Sequence, residues 1–509
     1  MSAAAPPAPG ASKGDSGSLA GLWGLSFVVI LGTIMSIFDT TIVNVALDTL
    51  GRAFHTSLST IQWVSTGYLL ALAIVIPLTG WAVERFGAKT MYMTSLALFI
   101  VGSALCGMAW SAGSLIVFRV LQGLGGGMIM PVGMTILARA AGPQRMGRIM
   151  TIVGIPMMLG PVLGPMIGGL LVDSLSWRWI FYVNIPIGVL ALILAARRLD
   201  NTERVHGGRL DGVGLALLSP GLAFVVYGLS EAGDSGGFSS SRVVISLVVG
   251  FALLISFCLH ALRIRDPLID LRLFKNRGFS AASGTSFILG AAIFGAMFLM
   301  PLYYQIVRGQ TALHAGLLMA PQGIGAMITM PIGGRIVDRV GARRVVPVGM
   351  VILLAGTFAY TQVGADTSEA LLAASLFVRG LGLGLSMMPA MGAAYQTLDR
   401  SDVPRATTTI NIVQRIGGSF GTAILAVVLQ RQIASHFGGH VTSLAAAANG
   451  LPDAAKSAVA SSFGTAFWWA MGISALGLIP ALLMPRPPKE TAPDHPGILE
   501  TAEAGIELV

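Results

Sequence analysis

Fourteen apolar runs of roughly 18 to 27 residues divide this chain, each long enough to carry a helix across about 30 Å of hydrocarbon at 1.5 Å per residue. They lie near residues 22–47, 59–82, 91–109, 114–137, 149–172, 179–196, 211–230, 242–262, 279–305, 312–334, 345–363, 370–392, 406–430 and 463–484. A backbone inside lipid must satisfy its own hydrogen bonds, so the runs read as helices, spans one to fourteen, of an all-α polytopic membrane protein. Only 11% of the 509 residues are charged, against about 25% in soluble domains. The first run is too long for a cleaved signal, and Met1 to Ser18 lacks the basic-then-apolar order of one, so this run is expected to remain as span one. Cys106 and Cys258 fall inside apolar runs, and no metal-ligand spacing is present.

Orientation follows from the basic residues. Of the 32 Lys and Arg, twenty fall in the loops on one side and six in those on the other. The positive-inside bias puts the twenty, and with them both termini, in the cytoplasm. The net charge of +9 is therefore spent in short loops between spans, which excludes a nucleic-acid-binding face. Arginine outnumbers lysine and alanine is abundant, which favours the cytoplasmic membrane of a bacterium with a GC-rich genome.

The chain repeats itself. GWAVERFGAK, from Gly80 to Lys89, returns as GRIVDRVGAR, from Gly334 to Arg343. Glu84 and Arg85 correspond to Asp338 and Arg339, Gly87 to Gly341, and Lys89 to Arg343. The glycines permit a tight turn, the acid can face a helix amino end, and the bases can face neighbouring carboxylates. A second echo pairs FRVLQGLGGGMIMP from Phe118 with FVRGLGLGLSMMP from Phe377. The repeat predicts two six-helix bundles, 21–198 and 264–485, linked by two extra spans within 199–263, with tails at 1–20 and 486–509 that are expected to be disordered.

The decad resembles the signature between spans two and three of the major facilitator superfamily, with Glu84 where aspartate is usual and Ala88 where arginine is usual. Span five points the same way. In TIVGIPMMLGPVLGPMIGG, Gly160, Gly164 and Gly168 share one helix face and allow a neighbour to approach backbone to backbone, while Gly154, Gly169, Pro161 and Pro165 permit bending. This run resembles the antiporter motif of exporters in that superfamily, although a generic packing helix would share the pattern.

Charged residues at membrane depth are costly and mark function by default. Four occur: Asp39, Arg119, Arg379 and Arg415. Asp39 lies roughly 12 Å and Arg119 roughly 8 Å from the outer ends of their spans, so the two can meet. Thr33, Ser36, Thr40 and Asn44 continue a polar stripe beside Asp39. Asp39, Thr41 and Asn44 to Leu47 resemble the span-one motif of fourteen-span drug/proton antiporters, with Asp48 in place of its proline. Arg119, Gln122, Gly123, Gly125 and Gly126 resemble that family's arginine motif, and WRWIFYVNIPIG, Trp177 to Gly188, its boundary before span six.

The resemblance implies a proton-coupled exporter of amphiphilic drugs or toxic small molecules, working by alternating access, whose coupling pair would be Asp39 and Arg119. An alternative for Asp39 is a permanent structural pair with Arg119, and for Arg379 and Arg415 bonds to helix carbonyls. Trp63, Tyr68, Gln122, Tyr303, Tyr304, Gln305, Asn411, Gln414 and Arg415, with Thr40 and Asn44, are candidate cavity contacts for a bulky ligand, and packing is the competing role for each. With no second acid in the spans, a monocationic, zwitterionic or neutral amphiphile fits better than a divalent cation. GGSFG at Gly417 to Gly421 imitates a hydrolase elbow but sits inside a helix, and no phosphate loop is present, so neither an enzyme nor a nucleotide-driven pump is expected. No cofactor is called for beyond the proton gradient. A monomer in the bilayer is expected to suffice, and a dedicated exporter of one metabolite, antibiotic or lipid, or an importer, shares the same fold.

Overall fold

The computed structural model describes residues 19–56, 58–141, 160, 163–164, 167–172, 174–200, 210–234, 238–396, 398, 402–436 and 453–484. Among these the chain is helical with no strand, and thirteen helices are long and apolar enough to cross a membrane. The expected fifth span lies largely outside the described residues, Gly154, Pro161 and Pro165 among them; where it is described, at 160, 163–164 and 167–172, the backbone is helical. Both expected tails also lie almost wholly outside them. Several helices exceed their apolar runs: span one is Leu19–Ala53, span thirteen Val403–His436, and span fourteen starts at Asp453, ten residues before its run.

The repeated decad is not a loop. Span two runs from Leu58–Val75 through a 3-10 turn at Ile76–Leu78 into Thr79–Phe86, and span three begins at once as Ala88–Gly107. Gly87 alone makes the break, with φ 86° and ψ 148°. Gly341 does the same between Ala320–Val340 and Ala342–Thr361, with φ 83° and ψ 154°. This backbone region is accessible only to glycine, so one residue per half makes the tight turn that the glycines were expected to permit.

Glycine also sets how the helices meet. A Cβ on Gly160 or Gly164 would collide with Ile37 or Thr41 of span one, and one on Gly168 would lie 3.2 Å from Ile42 Cγ2. The GGSFG segment repeats this crossing in the other half: Gly417 presses on the carbonyl of Phe287, and Gly421 on Ala291, both in span nine, Arg277–Leu302. Span four, Ala112–Ala141, packs on spans two and three, as span twelve, Glu369–Gln396, packs on spans ten and eleven. Lipid gives no hydrophobic drive between helices, so these close approaches supply the cohesion.

Span seven, Gly212–Asp234, and span eight, Ser241–Arg263, form a hairpin closed where Gly250 meets Val225. Span seven lies against both halves: Ser219 Oγ donates to Ile74 O of span two at 2.7 Å, while Val225 and Leu229 pack with Ala423 of span thirteen. Span eight turns Ile245, Val248, Ile255 and Leu259 outward, each more than half exposed, as a lipid-facing helix should.

Gly87→Ala and Gly341→Ala should each cost about 1 to 3 kcal/mol and lower the melting midpoint of the detergent-solubilised protein by several degrees. Gly472→Ala, where a Cβ meets nothing within 4 Å, should leave the midpoint unchanged or raise it slightly.

Candidate functional site

Five spans converge on one carboxylate. Asp39 is fully buried in the middle of span one. Its Oδ2 accepts from Arg119 Nη1 at 2.5 Å, and its Oδ1 from Gln122 Nε2 at 2.9 Å and Asn184 Nδ2 at 3.1 Å. Arg119 and Gln122 lie one turn apart on span four, so both reach the same neighbour. Gln122 closes a triangle by accepting from Arg119 Nη1 at 2.8 Å. Arg119 Nε donates to Val64 O of span two at 3.1 Å, and its guanidinium carbon sits 4.0 Å from the centre of the Tyr68 ring. Asn184 also donates to Ser103 Oγ of span three at 3.0 Å.

The donors are those an ionised carboxylate requires, and the pair is sealed from solvent. Either partner alone would be a buried charge without compensation, which costs far more than the pair itself contributes. A proton arriving on Asp39 would neutralise it and remove an acceptor from Arg119.

Asp39, Arg119, Gln122 and Tyr68 are brought together, and Ser36 Oγ lies 3.4 Å from Tyr68 OH. Thr40 spends its hydroxyl on Ile37 O at 2.7 Å. The side chains of Asn44 and Asp338 lie outside the described residues. Other candidates sit elsewhere. Trp63 is 43% exposed and stacks on Tyr227 of span seven, with ring centres 6.1 Å apart. Tyr303 and Tyr304 are buried in a separate core, bonded to Gly364 O and Tyr360 OH, because they fall on a π-helical turn, Tyr303–Val307, that ends span nine. Gln305 is exposed and donates to Pro301 O. These four aromatic and amide groups pack or face outward and do not approach Asp39.

Span thirteen carries Asn411, bonded to Thr407 O, Gln414, buried against span nine at Gly290, and Arg415, which is partly exposed. Arg379 is buried, its guanidinium donating to Gln322 Oε1 and Ala292 O at 2.5 and 3.1 Å. The two halves correspond here in an unexpected register. A Cβ on Gly102 would strike Gln122, and one on Gly356, which is 254 residues further on, would strike Arg379. Arg379 therefore occupies the place of Gln122, not of Arg119, and no acid among the described residues bonds to it.

At the basic-loop end the halves are clasped. Glu84 accepts from Arg405 Nε at 3.0 Å and Nη2 at 3.1 Å, in the first turn of span thirteen. Beside it, a Cβ on Gly80 would lie 3.3 Å from Thr408 Oγ1. Lys89 Nζ donates to Ala196 O at the carboxyl end of span six, Asn184–Arg198, at 3.0 Å, and Arg85, Arg339 and Arg343 are exposed. Asn184, bonded directly to Asp39, is the residue of this cluster that sequence reasoning passed over. Its signal was present, a lone amide within VNIPIG at the start of span six.

Fold and site together define a multi-pass membrane carrier assembled from two related groups of helices. The chain belongs to the Major Facilitator Superfamily, whose sequence model matches residues 29–422. The multidrug resistance protein B homolog of Mycobacterium tuberculosis strain H37Rv is 43% identical over 415 residues, covering 81% of this chain and 77% of that protein. The multidrug export protein EmrB of Escherichia coli K12 is 32% identical over 416 residues, 81% of each chain. Among solved structures, the proton:xylose symporter XylE superposes with a TM-score of 0.60 at 14% identity, covering 90% of this chain and 95% of that one, a likeness of fold. The chain is accordingly a transporter and not an enzyme.

Arg119→Ala should destabilise the protein by about 3 to 5 kcal/mol by leaving Asp39 unpaired, and Asp39→Asn in the same chain should recover much of the loss in a thermal-melt cycle. Glu84→Arg and Arg405→Glu should each weaken the clasp, and the double swap should restore it, read as protection of Cys substituted at Gly80 from a membrane-impermeant thiol reagent.

Proposed function

We propose that this transporter is a proton-coupled exporter of amphiphilic drugs or toxic small molecules, and hence a resistance determinant. The observation that carries this reading is Asp39, a fully buried carboxylate held by donors from spans four and six. Protonation from the outer side breaks its charge pair with Arg119, which keeps Val64 O and Gln122 Oε1 as partners. Spans one and four then lose their mutual attraction, and the halves 21–198 and 264–485 rock about the cavity between them. The Glu84–Arg405 clasp parts as the cytoplasmic side opens, and deprotonation to that side resets the carrier. The names of the relatives support the substrate class.

In this reading the chain crosses the cytoplasmic membrane of a bacterium fourteen times with both termini inside, works as a monomer, and uses no cofactor beyond the proton gradient. One charge moved through 100 mV is worth about 2.3 kcal/mol, enough for a substrate gradient of roughly fifty-fold.

The test is flux in sealed proteoliposomes under an imposed pH gradient, with a panel of fluorescent amphiphiles of differing charge. The native chain should concentrate at least one of them, and collapse of the gradient should abolish the accumulation. Asp39→Asn should still exchange substrate but accumulate it at least ten-fold less, about 1.4 kcal/mol of lost driving force. Flux that ignores the gradient and is equal in both proteins would overturn proton coupling.

A further inference from the structure

Span eight ends in a group of cations that the Asp39 site does not use. Val248, Ile255, Leu259 and Leu262 recur at helical spacing and are each more than half exposed, so they form one lipid-facing column over roughly 21 Å of the helix. Arg263 follows one turn beyond Leu259, at the basic-loop end of that column. The chain then runs through residues 264–270 into a 3-10 turn, Leu271–Lys275, and enters span nine at Arg277. Along this stretch Arg263, Arg265, Arg272, Lys275 and Arg277 are all exposed.

The stretch is held in place. Leu268, Ile269 and Leu273 are buried, and Phe274 meets Phe279 of span nine edge to face, with ring centres 5.2 Å apart. Arg272 Nη2 donates to Ile264 O at 3.0 Å and Nη1 to Arg265 O at 3.4 Å, which folds the 3-10 turn back onto the end of span eight. The acids of the junction are engaged within it. Asp211, its side chain 5% exposed, accepts at Oδ1 from Gly214 N at 2.7 Å, pairs with His260 Nε2 at 2.8 Å, and accepts at Oδ2 from Leu268 N at 3.3 Å. Asp270 caps the 3-10 turn by accepting from Arg272 N at 2.9 Å. Asp266 is the exposed acid, and among the described residues none of the five cations has a carboxylate partner.

Unpaired cations fixed at the end of a lipid-facing apolar column match a molecule that has both parts. We infer that this junction is a docking surface for an anionic phospholipid, whose phosphate lies among Arg263, Arg265 and Lys275 and whose acyl chains run along the column from Leu262 toward Val248. A zwitterionic headgroup brings its own cation to the same surface and gains less. Leu268 is tied to Asp211 at the start of span seven, and the stretch leads directly into span nine, so a lipid bound here braces the extra hairpin against the second half. The inference does not depend on which solute is carried.

The test follows the first lipid retained by the full chain in detergent, read by native mass spectrometry with equimolar phosphatidylglycerol and phosphatidylcholine of matched acyl chains. The native chain should retain phosphatidylglycerol about ten-fold or more over phosphatidylcholine, and added salt should narrow the difference. The side chains of Arg263, Arg265 and Lys275 make no hydrogen bond among the described residues, so R263Q/R265Q/K275Q removes charge without removing an internal contact. This variant should melt with the native chain and lower the preference by about five-fold or more, whereas the charge-keeping R263K/R265K/K275R should retain it. R335Q/R343Q/R344Q, which removes three exposed cations around the turn between spans ten and eleven, should retain it as well. Equal retention of the two lipids by the native chain, a preference that survives R263Q/R265Q/K275Q, or one lost equally in R335Q/R343Q/R344Q overturns the proposal. Displacement of the lipid by inorganic phosphate as effectively as by phosphatidylglycerol would make the surface a free-anion site and overturn it too.

Discussion

Everything in this protein depends on helices approaching closely enough to exclude lipid from between them. The hydrophobic effect does not press one apolar helix on another in a bilayer, so contact must come from dispersion and from polar groups that find each other. Gly160, Gly164 and Gly168 let span five lie on span one, and Gly417 and Gly421 let span thirteen lie on span nine. Only in such a packed bundle can the side chains of four spans, with a carbonyl from a fifth, be brought within bonding distance around Asp39 and Arg119. The polar site in turn fixes the rotation of each helix it touches, because a misaligned span would leave a buried charge unmet.

Much of this was legible before any coordinates. Long apolar runs, the side of the membrane that collects arginine, and a decad recurring after 254 residues are coarse signals that do not depend on how side chains pack. Asp39 and Arg119 stood out because charge in a span is rare. Depth along a helix follows from counting residues, and their meeting could be anticipated. Rotation about the helix axis could not be counted in the same way. Trp63 and Tyr303 share the depth and chemistry of cavity residues, yet one faces span seven and the other a sealed core. The second echo did not settle its own register, and the spatial match of Gln122 to Arg379 emerges only from the glycine contacts.

The two halves share a scaffold but have diverged in charge. In the first, a carboxylate and a guanidinium cancel. In the second, Arg379 leans on an amide and a carbonyl. Related backbones thus carry unlike electrostatics.

Span seven is attached to both halves at once, through Ser219 to span two and through Val225 and Leu229 to span thirteen. A carrier without such a helix would have two similar flanks through which its interior faces the bilayer. Here one flank wears an additional layer, and the molecule has a front and a back with respect to the lipid around it. Any relative motion of the halves shears that layer, so the stiffness of the carrier includes a contribution from helices remote from the transported molecule, and it will respond to the thickness and tension of the membrane in which it sits.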